Sequence, residues 1–218
     1  MGTKEEGLGR NNGKNGSIKA AGLCSQLFLF VRNFVKHPDM VGWMLPSSSF
    51  VVDEVLKQVD WATARVIVEY GPGVGTFTTK VLERMHPEAT LIAVELNPEF
   101  YEFLSATLRD PRLKLVNDSA TEIDAVLARL GVRHADYVIS GIPFKTLSHP
   151  LRDVIVRKTH SVLRPRGSFL VYQLSSVVLP YLENVFGNVR HDKELLNFIP
   201  AQMFYCARQS APNQGVSL

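Results

Sequence analysis

The stretch Arg65-Val-Ile-Val-Glu-Tyr-Gly-Pro-Gly-Val-Gly75 decides the fold. Its first half is a short apolar run rich in β-branched residues, which predicts a buried strand over 65–70. Its second half places three glycines at alternate positions, which predicts a tight backbone turn open to close approach. Thr76 to Arg84 then reads as a helix, so the stretch is a strand–turn–helix unit. The pattern recurs downstream. Strands are predicted at Leu91–Glu95, Leu113–Val116, Asp136–Ile139 and Ser168–Leu174. Helices are predicted at Pro98–Leu108, Ile123–Leu130, Leu151–Leu163 and Leu179–Val185. Asn97 suits a helix cap, and Pro150 suits a first turn. Strands alternating with helices predict an α/β fold, a mainly parallel sheet with helices on both faces. Val189–Leu195 and Gln202–Ala207 also read as strands, with no helix between them. They are expected to pair antiparallel at the sheet edge, completing seven strands.

Upstream, Pro46-Ser47-Ser48-Ser49 supplies a turn and cap for a helix from Phe50 to Val59. Leu23, Leu27, Phe30, Val31 and Phe34 fall at helical spacing, with Arg32 and Lys36 off that face. His37-Pro38 ends this helix. Two readings of it stay open: a membrane-surface element, or a lid on the body. Residues 1–22 hold six of the 15 glycines and are expected to be a disordered tail. The domain reading is therefore a tail at 1–22, an amphipathic helix and cap at 23–49, one domain at 50–210, and a tail at 211–218.

Of the 218 residues, 45% are hydrophobic and 21% charged, which excludes a wholly disordered chain. Cys24 and Cys206 have no partners at zinc-ligand spacing, so no metal is expected. No apolar run approaches the roughly 20 residues of a membrane span, and no signal peptide is evident. A cytoplasmic protein is expected, associated with membranes from outside. The net charge of +3 is local: six basic and three acidic residues precede residue 51, and the remainder is balanced. A neutral body argues against a nucleic-acid footprint. The cationic arm fits an anionic membrane surface.

Ligands of such sheets bind beyond the carboxyl ends of the strands, where strand order switches. The first strand ends in Glu69, Tyr70 and the glycines 71, 73 and 75, followed by Thr76. No Gly-Lys-Ser/Thr follows, which excludes a triphosphate loop. Glu95 ends the second strand about twenty residues later, where a carboxylate accepts from a ribose diol. Asp118 and Ser119 follow the third strand, placed to meet an adenine edge. Adenosine recognition without a pyrophosphate site points to S-adenosylmethionine, with S-adenosylhomocysteine as product.

Val68-Glu-Tyr-Gly-Pro-Gly-Val-Gly-Thr-Phe77, with Glu95, Asp118 and Ser140-Gly-Ile-Pro-Phe144, resembles the Rossmann-like class I methyltransferases. Within them the sequence is similar to the ribosomal-RNA adenine dimethylases. It resembles most the bacterial soluble phospholipid N-methyltransferases, which methylate phosphatidylethanolamine towards phosphatidylcholine. Pro46-Ser47-Ser48 and Asn197-Phe-Ile-Pro-Ala201 carry that narrower likeness, although Ile199 stands where the family has proline. The resemblance implies that Gly71, Gly73 and Gly75 face the methionine part of the cofactor, with Tyr70 and Thr76 beside them. Glu69 would lie near its amino group, Glu95 at the ribose, Leu96 near the adenine, and Asp118 and Ser119 at the adenine edge. Ser47 or Ser48 would reach the carboxylate.

In methyl transfer the acceptor amine must be neutral, and the carbonyls of Gly141 and Ile142 can aim its lone pair. For Phe144 two readings compete: a ring against the growing positive charge, or core packing. Ser140-Gly141-Ile142-Pro143 replaces the Asn-x-Pro-aromatic signature of the adenine methylases, whose asparagine accepts from a planar amine. Serine is the shorter acceptor, which shifts weight from a planar adenine amine to an aliphatic one. His149, His160 and Tyr172 are candidate bases by type, each more often structural. The competing functions are a nucleic-acid adenine methyltransferase, a small-molecule methyltransferase, and a binding module without catalysis.

Overall fold

A computed structural model describes residues 49–194 and 201–209 of the chain. The tail, the expected helix over 23–36, Ser47, Ser48, Cys24 and residues 197–200 lie outside them. The elements run α1 (Ser49–Leu56), β1 (Val66–Tyr70), α2 (Thr76–Arg84), β2 (Thr90–Glu95), α3 (Pro98–Thr107) and β3 (Leu113–Asn117). They continue with α4 (Ile123–Arg129), β4 (Ala135–Ser140), α5 (His149–Val162), β5 (Leu163–Gln173), α6 (Leu179–Phe186), β6 (Val189–Glu194) and β7 (Ala201–Ala207). Short 3-10 turns at Ala120–Glu122 and Phe144–Thr146 precede α4 and α5.

The seven strands form one sheet in the order β3-β2-β1-β4-β5-β7-β6. The first five are parallel, and β7 runs antiparallel to both β5 and β6. Strand order therefore reverses between β1 and β4, which opens the ligand crevice at their carboxyl ends. Alternation along the strands builds two cores. Val68, Tyr70, Val138, Phe169 and Val171 meet α4, α5 and α6 on one face. Ile67, Ile139, Leu170 and Met203 meet α1 and α2 on the other.

Asn97 caps α3 by accepting from the Glu99 amide at 2.8 Å, with Pro98 leading the helix. Where the sequence reads a loop before Ser168, β5 already begins at Leu163, which pairs with Ala135. Arg166 takes φ +64, and the ladder is irregular between Ala135 and Tyr137. The strand is bulged: a Cβ on Gly167 would lie 2.9 Å from the carbonyl oxygens of Arg164 and Asp136.

Asp136 anchors this corner. Its buried Oδ2 accepts from the amides of Arg65 and Val66, each at 2.7 Å, and it pairs with Arg164. One carboxylate thus sets the start of the strand that carries the glycine turn. Asp136→Ala leaves two strand-entry amides without their acceptor, and stability is expected to fall by about 3 kcal/mol. The midpoint of urea unfolding measures this.

Candidate active site

The glycine turn bridges β1 and α2. Gly71, Gly73 and Gly75 have φ of +67°, +57° and +84°. A Cβ on Gly71 would stand 2.9 Å from Ile142 Cγ2, and one on Gly75 would stand 2.8 Å from Leu104 Cδ2. Backbone conformation and space both demand glycine there. The Gly71 amide donates to Val94 O at 3.0 Å and the Gly141 amide to Tyr70 O at 3.1 Å. The turn is thereby held between the ends of β2 and β4.

Two buried carboxylates surround it. Glu69, 2% exposed, accepts from Thr78 Oγ1 at 2.8 Å through Oε2, and its Oε1 has no partner. Burial, helped by the nearby Glu95 charge, pushes its carboxyl up to about 8 against the opposing Thr78 bond. Glu95, 6% exposed, accepts from the Gly73 amide at 2.9 Å and the Asn97 amide at 2.8 Å. Burial raises its carboxyl as well, although those amides oppose the shift. Leu96 beside it is 66% exposed, an apolar surface at the mouth of the crevice. Asn117 ties down this end of β2 by donating to Glu95 O at 2.7 Å.

At the end of β3, Asp118 Oδ1 accepts from the Ser119 amide at 2.8 Å and Oδ2 pairs with Arg129 at 2.7 Å. The Arg129 bond holds Asp118 below the usual carboxylate range. Ser119 Oγ accepts from the Thr121 amide and so opens the 3-10 turn. Thr76, partly exposed, begins α2 directly after the glycines.

The acceptor side differs more from expectation. Tyr70 turns into the core, with its hydroxyl on Thr159 Oγ1 at 3.1 Å, and gives the crevice only its backbone. Phe144 is fully buried among the core residues that include Tyr70 and Ile155. Its ring packs within that core. Ile142 O accepts from the Phe144 amide at 3.0 Å. Ser140 Oγ is buried and has no partner.

Arg152 of α5, 7% exposed, holds the turn after β4. Its Nε donates to Phe144 O at 2.8 Å and its Nη2 to Lys145 O at 3.1 Å. In the core under α1 and α2 Phe77 stacks on Tyr172 at 4.1 Å, and the Tyr172 hydroxyl fills the space where a Gly141 Cβ would stand. His149 Nδ1 bonds the Tyr181 hydroxyl at 2.6 Å, and His160 lies edge-on against Phe186. Arg152, Thr78 and Gln173 escape sequence reasoning, because none belongs to a recognisable motif and their bonds are set by how strand ends and helices pack.

Residues 46–174 match the profile described as Ribosomal RNA adenine dimethylase. The chain belongs to this family. It is also 28% identical to an ornithine lipid N-methyltransferase of Singulisphaera acidiphila, over 82% of this chain and 94% of that protein. A mitochondrial ribosomal RNA small subunit methyltransferase of Arabidopsis thaliana is 28% identical over 50% of this chain, but only 27% of that protein is matched. In fold the chain is similar to the O-methyltransferase TomG of Streptomyces achromogenes, solved with S-adenosylmethionine. There the TM-score is 0.63 at 15% identity, covering 76% of this chain and 82% of that one. The chain is an S-adenosylmethionine-dependent methyltransferase with a Rossmann-like fold.

The residues present fit that cofactor. The cradle is three glycines at positive φ that keep the backbone bare, the Glu69 Oε1 orphan suits an ammonium donor, and Leu96 offers an apolar shelf. The protonation of Glu69 also leaves a signature in the free protein. Unfolded, its carboxyl titrates near 4.5; folded, near 8. Below the lower value both states hold the proton. Between the two only the folded state does, so this group's contribution to stability falls as pH rises towards about 8. Glu69→Gln removes the titration. Its melting temperature is expected to gain on wild type steadily from pH 5 to pH 8 and then level off.

Proposed function

We propose that the enzyme methylates the amine head group of a zwitterionic lipid, phosphatidylethanolamine towards phosphatidylcholine. The observation that carries this reading is the end-to-end match with a lipid N-methyltransferase, 94% of whose length is covered. Ser140, short and at the acceptor edge, supports an aliphatic amine over a planar one.

S-adenosylmethionine supplies a methyl group already activated on a sulfonium, so the chain has mainly to position and desolvate. Gly71, Gly73 and Gly75 would receive its methionine part, with Tyr70 and Thr76 framing them. Glu69 would meet its amino group, Glu95 its ribose, and Asp118 and Ser119 its adenine over Leu96. Ser47 and Ser48 are proposed at its carboxylate. Gly141 and Ile142 carbonyls would aim the acceptor amine, with Ser140 at the edge. Phe144 serves this site by supporting the turn from below, a positioning role in place of direct contact.

Labelled S-adenosylmethionine is incubated with vesicles of phosphatidylethanolamine, with ornithine lipid and with ribosomal RNA. Label in the phosphatidylethanolamine fraction is expected. Label in RNA alone would favour an adenine methyltransferase, the reading that the RNA-directed relatives support. Glu95→Gln keeps the shape but loses charge-assisted bonds, so cofactor affinity is expected to fall by about 2 kcal/mol in calorimetry.

Peripheral membrane association is proposed through the arm at 23–36, which joins an apolar face to Arg32 and Lys36. Each basic residue near an anionic surface contributes about 1 kcal/mol. In the full chain, reversing both charges to glutamate is expected to abolish sedimentation with anionic vesicles while cofactor binding persists. Undiminished sedimentation would make the arm a lid.

A further inference from the structure

Two buried polar atoms without partners lie on one face of the sheet, at the acceptor end of neighbouring strands. Ser140 ends β4, and its Oγ is fully buried and unbonded. Gln173 ends β5 at 8% exposure, and its Oε1 is likewise buried and unbonded. The Gln173 amide has a defined orientation, because Nε2 donates to Ser175 O. The oxygen is therefore the end left over. Ser140 pairs in register with Val171, so Gln173 lies two residues further on, on the same face and nearer the carboxyl edge. Buried acceptors ordinarily find a donor, and a carboxamide oxygen at a ligand-binding strand end looks for an N–H.

We propose that Gln173 Oε1 accepts an N–H of the acceptor amine and, with Ser140 Oγ beside it, orients the nitrogen lone pair. Serine at position 140 is too short to do this alone, and the neighbouring strand provides the longer acceptor. In the step itself the nitrogen lone pair forms the N–C bond as the C–S bond breaks, its electron pair staying on sulfur. Positive charge passes to nitrogen, and a proton then leaves that nitrogen to solvent. Gln173 takes no proton; it fixes direction. This inference rests on an amine acceptor and on the methyltransferase activity, but not on the acceptor being a lipid.

Counting N–H bonds gives the test. A neutral primary amine has two to offer, whereas a neutral N,N-dimethylamine has none. Gln173→Met, close in length, and Gln173→Leu are assayed on short-chain phosphatidylethanolamine and on its N,N-dimethyl derivative. Turnover on the primary amine is expected to fall about tenfold, with turnover on the dimethyl derivative little changed. The ratio of the two rates does not depend on the fraction of folded enzyme, and cofactor affinity by calorimetry should equal wild type. Ser140→Asn, which returns a carboxamide to the adjacent strand end, should restore part of the loss in the Gln173→Met background. Equal losses on both acceptors would reduce Gln173 to a structural residue and overturn the proposal, as would no loss on the primary amine. If wild type methylates neither lipid but does methylate ribosomal RNA, the lipid reading fails by itself. The same variants are then compared on the unmethylated and the monomethylated adenine site, which offer two N–H bonds and one, with the larger loss expected on the former.

Discussion

A carboxylate withdrawn from water has to find donors, and Glu95 finds two in the backbone, the amides of Gly73 and Asn97. That pair of bonds fastens the glycine turn after β1 to the start of α3. Neither amide belongs to a strand ladder, so without Glu95 both would need other partners. The turn also has little freedom elsewhere: Gly71 is pressed against Ile142 and Gly75 against Leu104. The crevice is consequently shaped by backbone and by one charge, with few side chains reaching across it. A cofactor with a broad adenosine end and a charged amino-acid end suits such a surface. What it can meet there is the exposed Leu96 at one end and the buried, unsatisfied oxygen of Glu69 at the other.

The two acids at the turn behave differently for a physical reason. Glu69 has one hydroxyl donor, Thr78, and full burial, so its neutral form is favoured. Glu95 has two amide donors that favour its charge, set against burial that opposes it. Placed close together, two like charges raise each other's cost of ionisation, and Glu95 indeed adds to the Glu69 shift. A cationic group arriving at Glu69 would reverse that balance.

Much of this was legible in the sequence. The strand–turn–helix order, the edge pairing of β6 with β7, and the Asn97 cap follow from periodicity and capping chemistry, which are local. What was missed depends on distant partners. Arg164-Pro-Arg-Gly167 reads as a loop because nothing local reveals that Asp136 and β4 accept it as a bulged strand. Phe144 follows a motif proline, and the sequence leaves it either at the acceptor or in the core; its burial beside Tyr70 and Ile155 and the turn held by Arg152 come from elements the motif does not reveal. Gln173 has no motif at all; its meaning lies in the register that pairs Ser140 with Val171 and so places Gln173 two residues further on the same face.

The acceptor edge and the cofactor edge are not independent. Gly141 has no room for a Cβ because the Tyr172 hydroxyl occupies that space, and Tyr172 is itself stacked on Phe77. Phe77 belongs to α2, whose preceding residues form the glycine turn. A contact chain of Gly141, Tyr172 and Phe77 therefore runs from the β4 end to the cofactor helix without passing through a flexible loop. Packed aromatic rings transmit displacement poorly by bending and well by moving together. The β4 end and the helix after the glycine turn are thereby packed as one unit, through a stacked ring pair and a glycine whose missing side chain leaves room for a hydroxyl.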